Sequence, residues 1–387
     1  MTTVVPDGPG ESSNFDPIDV QLQRSGATAR ALSRQPSAGF FRWPTGPFPA
    51  LLLLGGIALG PHGLALLTPA ILDFLDPAAP VALAALGVIA GLDLGTSRID
   101  RRVRAAAHMQ ATLTGLLVGA AVLFFTPAAI DAAAFPPLRL VALALAIAAA
   151  TSSSLPSDGG ERTSHFSTRV GVDYLLPIAA GGAALAFIRA ASPAPSVVLL
   201  AETIAIAAAI ALGGWLLLSR NSETTEQRVF AFASLLLLGG AADYLSASAL
   251  LSGLVAGGCW QWAGGPMREY VRRDVAYVQH SLVVLILVLA GAHADFSPAV
   301  LLMSTIYLGV RTTGKLTGGW LASWVAPDVS RSARRRLISP GVFGVAFALN
   351  LARAGGPGFG PVLTVVVVGT IASSLMAAFT LPERIEW

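Results

Sequence analysis

Residues 138–156 read LRLVALALAIAAATSSSLP, an apolar run of about three and a half helical turns that ends in Thr151-Ser152-Ser153-Ser154-Leu155-Pro156. Hydroxyl side chains compete with the backbone for hydrogen bonds and Pro156 lacks a donor, so the run predicts a helix that stops inside an apolar segment. Unwound backbone at membrane depth is tolerated only where protein or a water-filled cavity satisfies it. A second break, Ser339-Pro340-Gly341-Val342-Phe343-Gly344, interrupts a later apolar segment. Either break alone reads as a kink. The two together decide the architecture once the segments between them are counted.

Dividing the apolar runs at polar, Pro-rich or charged breaks gives twelve candidate spans: 48–66, 74–94, 105–126, 138–156, 167–189, 197–218, 228–245, 247–263, 279–294, 298–324, 335–353 and 359–381. A helix of roughly 20 residues with a short loop fits each. The breaks fall in the fourth and eleventh spans, and an odd offset of seven reverses direction. Two repeats of inverted topology, spans one to five and eight to twelve, would make them equivalents that cross near the bilayer midplane, the place where transporters bind their ions. Composition agrees with a polytopic membrane protein: of 387 residues 54% are hydrophobic and 12% charged, about half the charge of a soluble domain, and the mean hydropathy is +0.68.

Alternate loops differ sharply in basic residues. With the N-terminal tail placed inside, 20 of the 25 Lys and Arg residues fall in inside segments, and only Arg139, Arg189 and Arg353 fall outside. The bias of Lys and Arg toward the cytoplasm then puts both termini inside. Residues 1–46 are polar, Pro/Ser/Gly-rich and lack a basic start, which reads as a disordered cytoplasmic tail rather than a signal peptide; residues 47–387 form the membrane domain. Six residues follow Leu381, so no fused cytosolic nucleotide-binding domain is expected.

The two remaining basic groups, Arg311 and Lys315, lie inside the tenth span, and Lys315 is the chain's single lysine. Asp173 lies in the fifth span, 16 residues from Arg189, or about 24 Å at 1.5 Å per residue. Lys315 lies 17 residues from Pro298, about 25 Å by the same rise. A charge at such depth costs at least about 2.5–3.5 kcal/mol, so it needs a partner or water, and intramembrane charges commonly mark ion paths. An acid in a cavity can exchange a proton for a small cation, and a buried lysine readily loses its proton. A structural ion pair, or Arg169 neutralising Asp173 from one turn away, is the competing reading. Arg311, one turn from Lys315, reads equally as a second cavity charge or as a donor to broken-helix carbonyls. Asp93 reads as an interfacial salt-bridge residue, and Glu202 and Asp243 as groups near outer ends that reach headgroups or solvent.

Other chemistries lack their motifs. Cys259 is the only cysteine and the five histidines are scattered, so neither a disulfide nor a zinc site is expected. No phosphate-binding loop ending in Gly-Lys-Ser/Thr and no HExxH helix occurs, which argues against an ATP-driven pump and a metalloprotease. No enzyme activity, cofactor or nucleic-acid partner is expected; the arginines answer to topology.

From about residue 48 to 381 the chain resembles the monovalent cation:proton antiporter superfamily, the sodium/proton exchanger family. The resemblance is carried by Leu59-Gly60-Pro61, Gly91-Leu92-Asp93-Leu94 before a basic loop, Ala150-Thr151-Ser152-Ser153, Asp173, Gly253-Leu254-Val255-Ala256-Gly257, Leu289-Ala290-Gly291-Ala292-His293-Ala294-Asp295, and Arg311 to Lys315 with Gly314. It implies that Asp173 is the carboxylate for the proton and the transported Na⁺ or K⁺, that Thr151 and Ser152 are neighbouring oxygen ligands, and that Lys315 pairs with an acid in the empty site. It also implies a homodimer in which one bundle moves against a scaffold. Val172 stands where the family usually has Asp or Asn, and the stretch 155–166 is shorter than usual. If Asp173 is the only acid within reach of Lys315, cation and proton are expected to compete for it.

The sequence therefore reads as an all-α polytopic membrane protein, with about twelve transmembrane helices in two inverted repeats and two crossing broken helices. Its expected role is exchange of a monovalent cation, Na⁺ before K⁺, for protons across the inner cell membrane. The rivals are a sodium-coupled organic-anion symporter of related fold, drawn by Arg311 and Lys315, and a non-transporting scaffold or sensor, for which Val172 argues.

Overall fold

The computed structural model describes residues 48–95, 101–129, 137–151, 175–190, 192–220, 224–264, 266–325 and 341–380. Asp173, Ser152, Val172, the stretch 155–166 and the tail 1–46 lie outside these. All regular structure among the described residues is helical: α1 Phe48–Leu59, α2 Pro69–Leu75, α3 Ala78–Leu92, α4 Arg101–Ala129, α5 Leu138–Ala150, α6 Leu175–Ala190, α7 Pro193–Arg220, α8 Thr224–Tyr244, α9 Ala249–Ala263, α10 Pro266–Ala292, α11 Pro298–Val325, α12 Val342–Ala354 and α13 Gly360–Thr380, with short 3₁₀ turns at Asp93–Gly95 and Pro357–Phe359. α1 and α3 to α13 each overlap one of the apolar segments of the sequence, α10 starting well before its segment, and α2 lies mostly between the first segment and the second.

Local chemistry sets the ends. Helices α2, α7, α10 and α11 begin on proline, which fits the first helical position because its missing N–H has no partner there anyway. Ser248 caps α9, its Oγ accepting from Leu251 N at 3.2 Å. Pro77 separates α2 from α3, which meet at 42°, and leaves Asp76 on the bend. By length and composition, Ala105–Phe125 of α4 and Pro193–Arg220 of α7 can each cross a bilayer alone, and the bent α2–α3 pair can do so together. Shorter apolar stretches of 10–17 residues lie in α1, α5, α6, α10, α12 and α13.

From Pro44 onward the chain is one unit in which two groups of helices can be traced. In one, α4 packs along α5 and α11, α13 along α11 and α12, and α12 along α5; α6 lies between the groups, against α5 and more extensively against α7. In the other, α9 packs along α3 and α7, α10 along α1 and α3, and α8 along α3 and α7. The first group draws on spans three, four and ten to twelve, with three and ten, and four and eleven, again seven apart.

The closest approach in the second group is between α3 and α9. A Cβ at Gly87, Gly91, Gly253 or Gly257 would collide with a backbone carbonyl of the facing helix. Small residues four apart on both helices let the backbones touch, which is where packing energy comes from when lipid is as apolar as the side chains. Helix α7 buries only one stripe, Ser196, Thr203, Ala207, Ala211, Gly214 and Leu218; Trp260 of α9 reaches it, Nε1 donating to Ala211 O at 2.8 Å. Helix α12 is the opposite: every residue from Val342 to Leu351 is buried, as expected of a helix apolar on all sides.

Candidate functional site

Helix α5 stops where the hydroxyl run begins. Its cap residue Thr151 turns to an extended conformation (φ −68°, ψ 149°), and its side chain folds back, Oγ1 donating to Ala148 O at 2.7 Å. The last carbonyls of a helix have no intrahelical partner and carry the negative end of its dipole. Two cations from α11 meet them. Lys315 Nζ donates to Ala150 O at 3.2 Å, and Arg311 Nη2 donates to Thr151 O at 3.2 Å. Both side chains are buried, at 2% and 1% exposure, and their four-residue spacing puts them on one face of α11.

Neighbouring helices fix that face. Gly314 and Gly318 let α11 lie directly on Thr114 and Gln110 of α4, and Gln110 Nε2 donates to Lys315 O at 3.2 Å. One turn back from Arg311, the Tyr307 ring packs on Gly369 of α13, where a Cβ would lie 2.6 Å from Cε1. Arg311 thus donates to a carbonyl at the end of α5.

The second break arrives at the same place. Gly341 is extended (φ −78°, ψ 155°) and caps α12. A Cβ at Gly344, in the first turn, would lie 2.6 Å from Thr151 Oγ1 and 3.2 Å from Ala148 O. The positive N-terminal end of α12 therefore touches the negative C-terminal end of α5. The structure thus brings together Thr151, Lys315 and Arg311 with both interrupted helices; Asp173 and Ser152 lie outside the described residues.

A second polar cluster, not anticipated from sequence, lies at the other end of α12. Arg353 Nη2 donates to Asp243 Oδ1 at 3.2 Å, and Nη1 lies 2.8 Å from Asp76 Oδ2, at an angle that makes an ion pair rather than a hydrogen bond. His293 Nε2 stands 3.5 Å from Asp76 Oδ1. Asp243, expected to reach headgroups or solvent, is half exposed and held by this arginine. The sequence carried one signal: Arg353 is one of the three basic residues that the loop count assigns to the arginine-poor side.

No family model and no curated protein matches the chain. Among solved structures, the sodium proton antiporter MjNhaP1 from Methanocaldococcus jannaschii at pH 8 superposes with a TM-score of 0.59 at 15% identity, over 93% of this chain and 96% of that one. An electron-microscopy map of the same antiporter gives 0.54 at 14% identity, over 94% and 93%. The chain has the fold of a sodium/proton antiporter along nearly its whole length.

Proposed function

We propose, from this fold, that the protein is a secondary transporter exchanging a monovalent cation, Na⁺ before K⁺, for protons by alternating access. The observation that carries the proposal is the meeting of the two interrupted helices at Thr151 and Gly344, with Lys315 and Arg311 buried on the carbonyls of α5. Asp173, which the sequence places in the fifth span beside the first break, is the proposed ion-binding carboxylate.

In this reading Asp173 binds either a proton or the cation, and Thr151 and Ser152 supply neighbouring oxygens. Lys315 neutralises Asp173 when the cation is absent, and Arg311 pins the end of α5. The two helix groups move relative to each other, the inverted repeats make the two half-cycles alike, and the protein works as a homodimer of the inner membrane with both termini in the cytoplasm.

The test is dissipation of a pH gradient in everted vesicles on addition of Na⁺, Li⁺ or K⁺, with wild type, Asp173→Asn and Lys315→Ala. Cation-dependent proton flux in wild type that is lost in Asp173→Asn is expected. No flux in wild type overturns the exchange reading. Flux that survives Asp173→Asn overturns the site alone.

A further inference from the structure

The last turn of α12 carries two polar residues three apart on one face, and both bond to the other helix group. Asn350, buried at 3% exposure, accepts from Ala249 N at 3.2 Å through Oδ1 and donates from Nδ2 to Ser248 Oγ at 3.1 Å, so it grips the start of α9. Arg353 spans Asp76 on the α2–α3 bend and Asp243 at the end of α8. Helix α12 packs along α13 and α5 of the first group, and Arg189 of α6 donates through Nη1 to Ala354 O at 3.3 Å. Nine residues separate Gly344 from Arg353, about 13 Å along the helix. A passage from the interrupted helices toward this end, between the groups, has to pass under these contacts.

We infer that Asn350 and Arg353, with Ser248, Asp76 and Asp243, form a gate that closes the Arg353 end of the ion path in this conformation. The inference rests on the alternating-access reading, in which the groups must part here once per cycle. The chemistry suits a reversible closure. Arg353 is 19% exposed, Asp76 33% and Asp243 50%, so water can resolvate the charges when they separate, and ion pairs at such exposure are weak. Arginine suits the position because its planar fork can address two carboxylates at once, which a lysine ammonium cannot do with the same geometry. His293, whose Nδ1 lies 2.9 Å from Leu289 O, stands behind Asp76 and adds positive charge only when doubly protonated.

The test uses the full chain in oriented vesicles with Cys259→Ser and one reporter, Ala346→Cys, a turn deeper than Asn350 on the same face of α12. A membrane-impermeant maleimide is applied from the Arg353 side. Arg353→Ala is expected to raise the labelling rate about three- to tenfold, as the loss of two weak ion pairs would shift a closed–open equilibrium. The exchange Arg353→Asp with Asp243→Arg should bring the rate back toward that of the parent. Equal labelling in the parent and Arg353→Ala overturns the gate. Should Arg353→Ala elute as aggregate, Asp76→Asn and Asp243→Asn, which keep the arginine, take its place, and equal labelling in both overturns the gate. Labelling needs no transport, so the two readings fail separately. Gated labelling without cation-dependent proton flux retains the gate and retires the exchange reading; flux with ungated labelling does the reverse.

Discussion

Replacing Gly344 with alanine puts a methyl carbon where α5 and α12 touch. The new Cβ would lie 2.6 Å from Thr151 Oγ1, about 0.7 Å inside the roughly 3.3 Å at which carbon and oxygen ordinarily meet. Thr151 cannot simply rotate away, because its hydroxyl is committed to Ala148 O at 2.7 Å, and Ala148 O itself would be 3.2 Å from the new carbon. Either the hydrogen bond breaks, at about 0.5–1.5 kcal/mol, or the helix ends part, and overpacking of this kind costs about 1–3 kcal/mol. The measurement is the free energy of unfolding in mixed micelles by detergent titration, with proton flux per folded protein beside it. Gly213→Ala is the control, since a Cβ there meets nothing within 4 Å; it should stay within about 0.5 kcal/mol of wild type. Removing the obstructing oxygen supplies the internal check: Thr151→Ala combined with Gly344→Ala should recover about 0.5–3 kcal/mol relative to additivity. Gly344→Ala as stable as Gly213→Ala, with unchanged flux, would refute the claim that the two helix ends are in contact.

Three further outcomes are expected. Arg311→Ala leaves Thr151 O without its guanidinium donor and should cost about 1–3 kcal/mol in the same titration, whereas Arg311→Lys should recover part of that; equal stability of all three chains would contradict the pinning role. Trp260→Phe keeps the ring but removes the donor to Ala211 O, an expected loss of about 0.5–1.5 kcal/mol with flux per folded protein unchanged. If Asp173 binds proton and cation in turn, the apparent KM for Na⁺ should rise about tenfold per pH unit once pH falls below the carboxyl's pKa, while the maximal rate at saturating Na⁺ holds; a maximal rate that falls with pH while KM stays flat would exclude competition at one carboxylate.

Much of the fold was legible because lipid imposes one rule. Every backbone polar group must be satisfied inside the chain, so long apolar runs have to be helices, and their breaks have to be covered. The hydroxyl run at Thr151 predicted the end of α5, and Ser339 to Gly344 predicted the start of α12, because both signals are local. The role of Arg311 could only be left open, since its alternatives depend on which helix lies opposite. The Arg353 cluster stayed hidden for the same reason. Asp76, Asp243, His293 and Arg353 come from four distant segments, and only the excess of a basic residue on the arginine-poor side hinted at it.

By itself, then, the sequence determined the helical class, where α5 ends and α12 begins, and the two basic residues carried by one apolar helix, because hydropathy and backbone satisfaction act along the chain. The tertiary structure decided what those features meet. It set the C-terminal carbonyls of α5 against Lys315 and Arg311, and Gly344 against Thr151. It also bridged Arg353 to two aspartates of the other helix group. Such pairings depend on close approach between segments far apart in sequence, set by glycines and by helix ends whose dipoles attract opposite charge, and no local pattern encodes which partner will arrive.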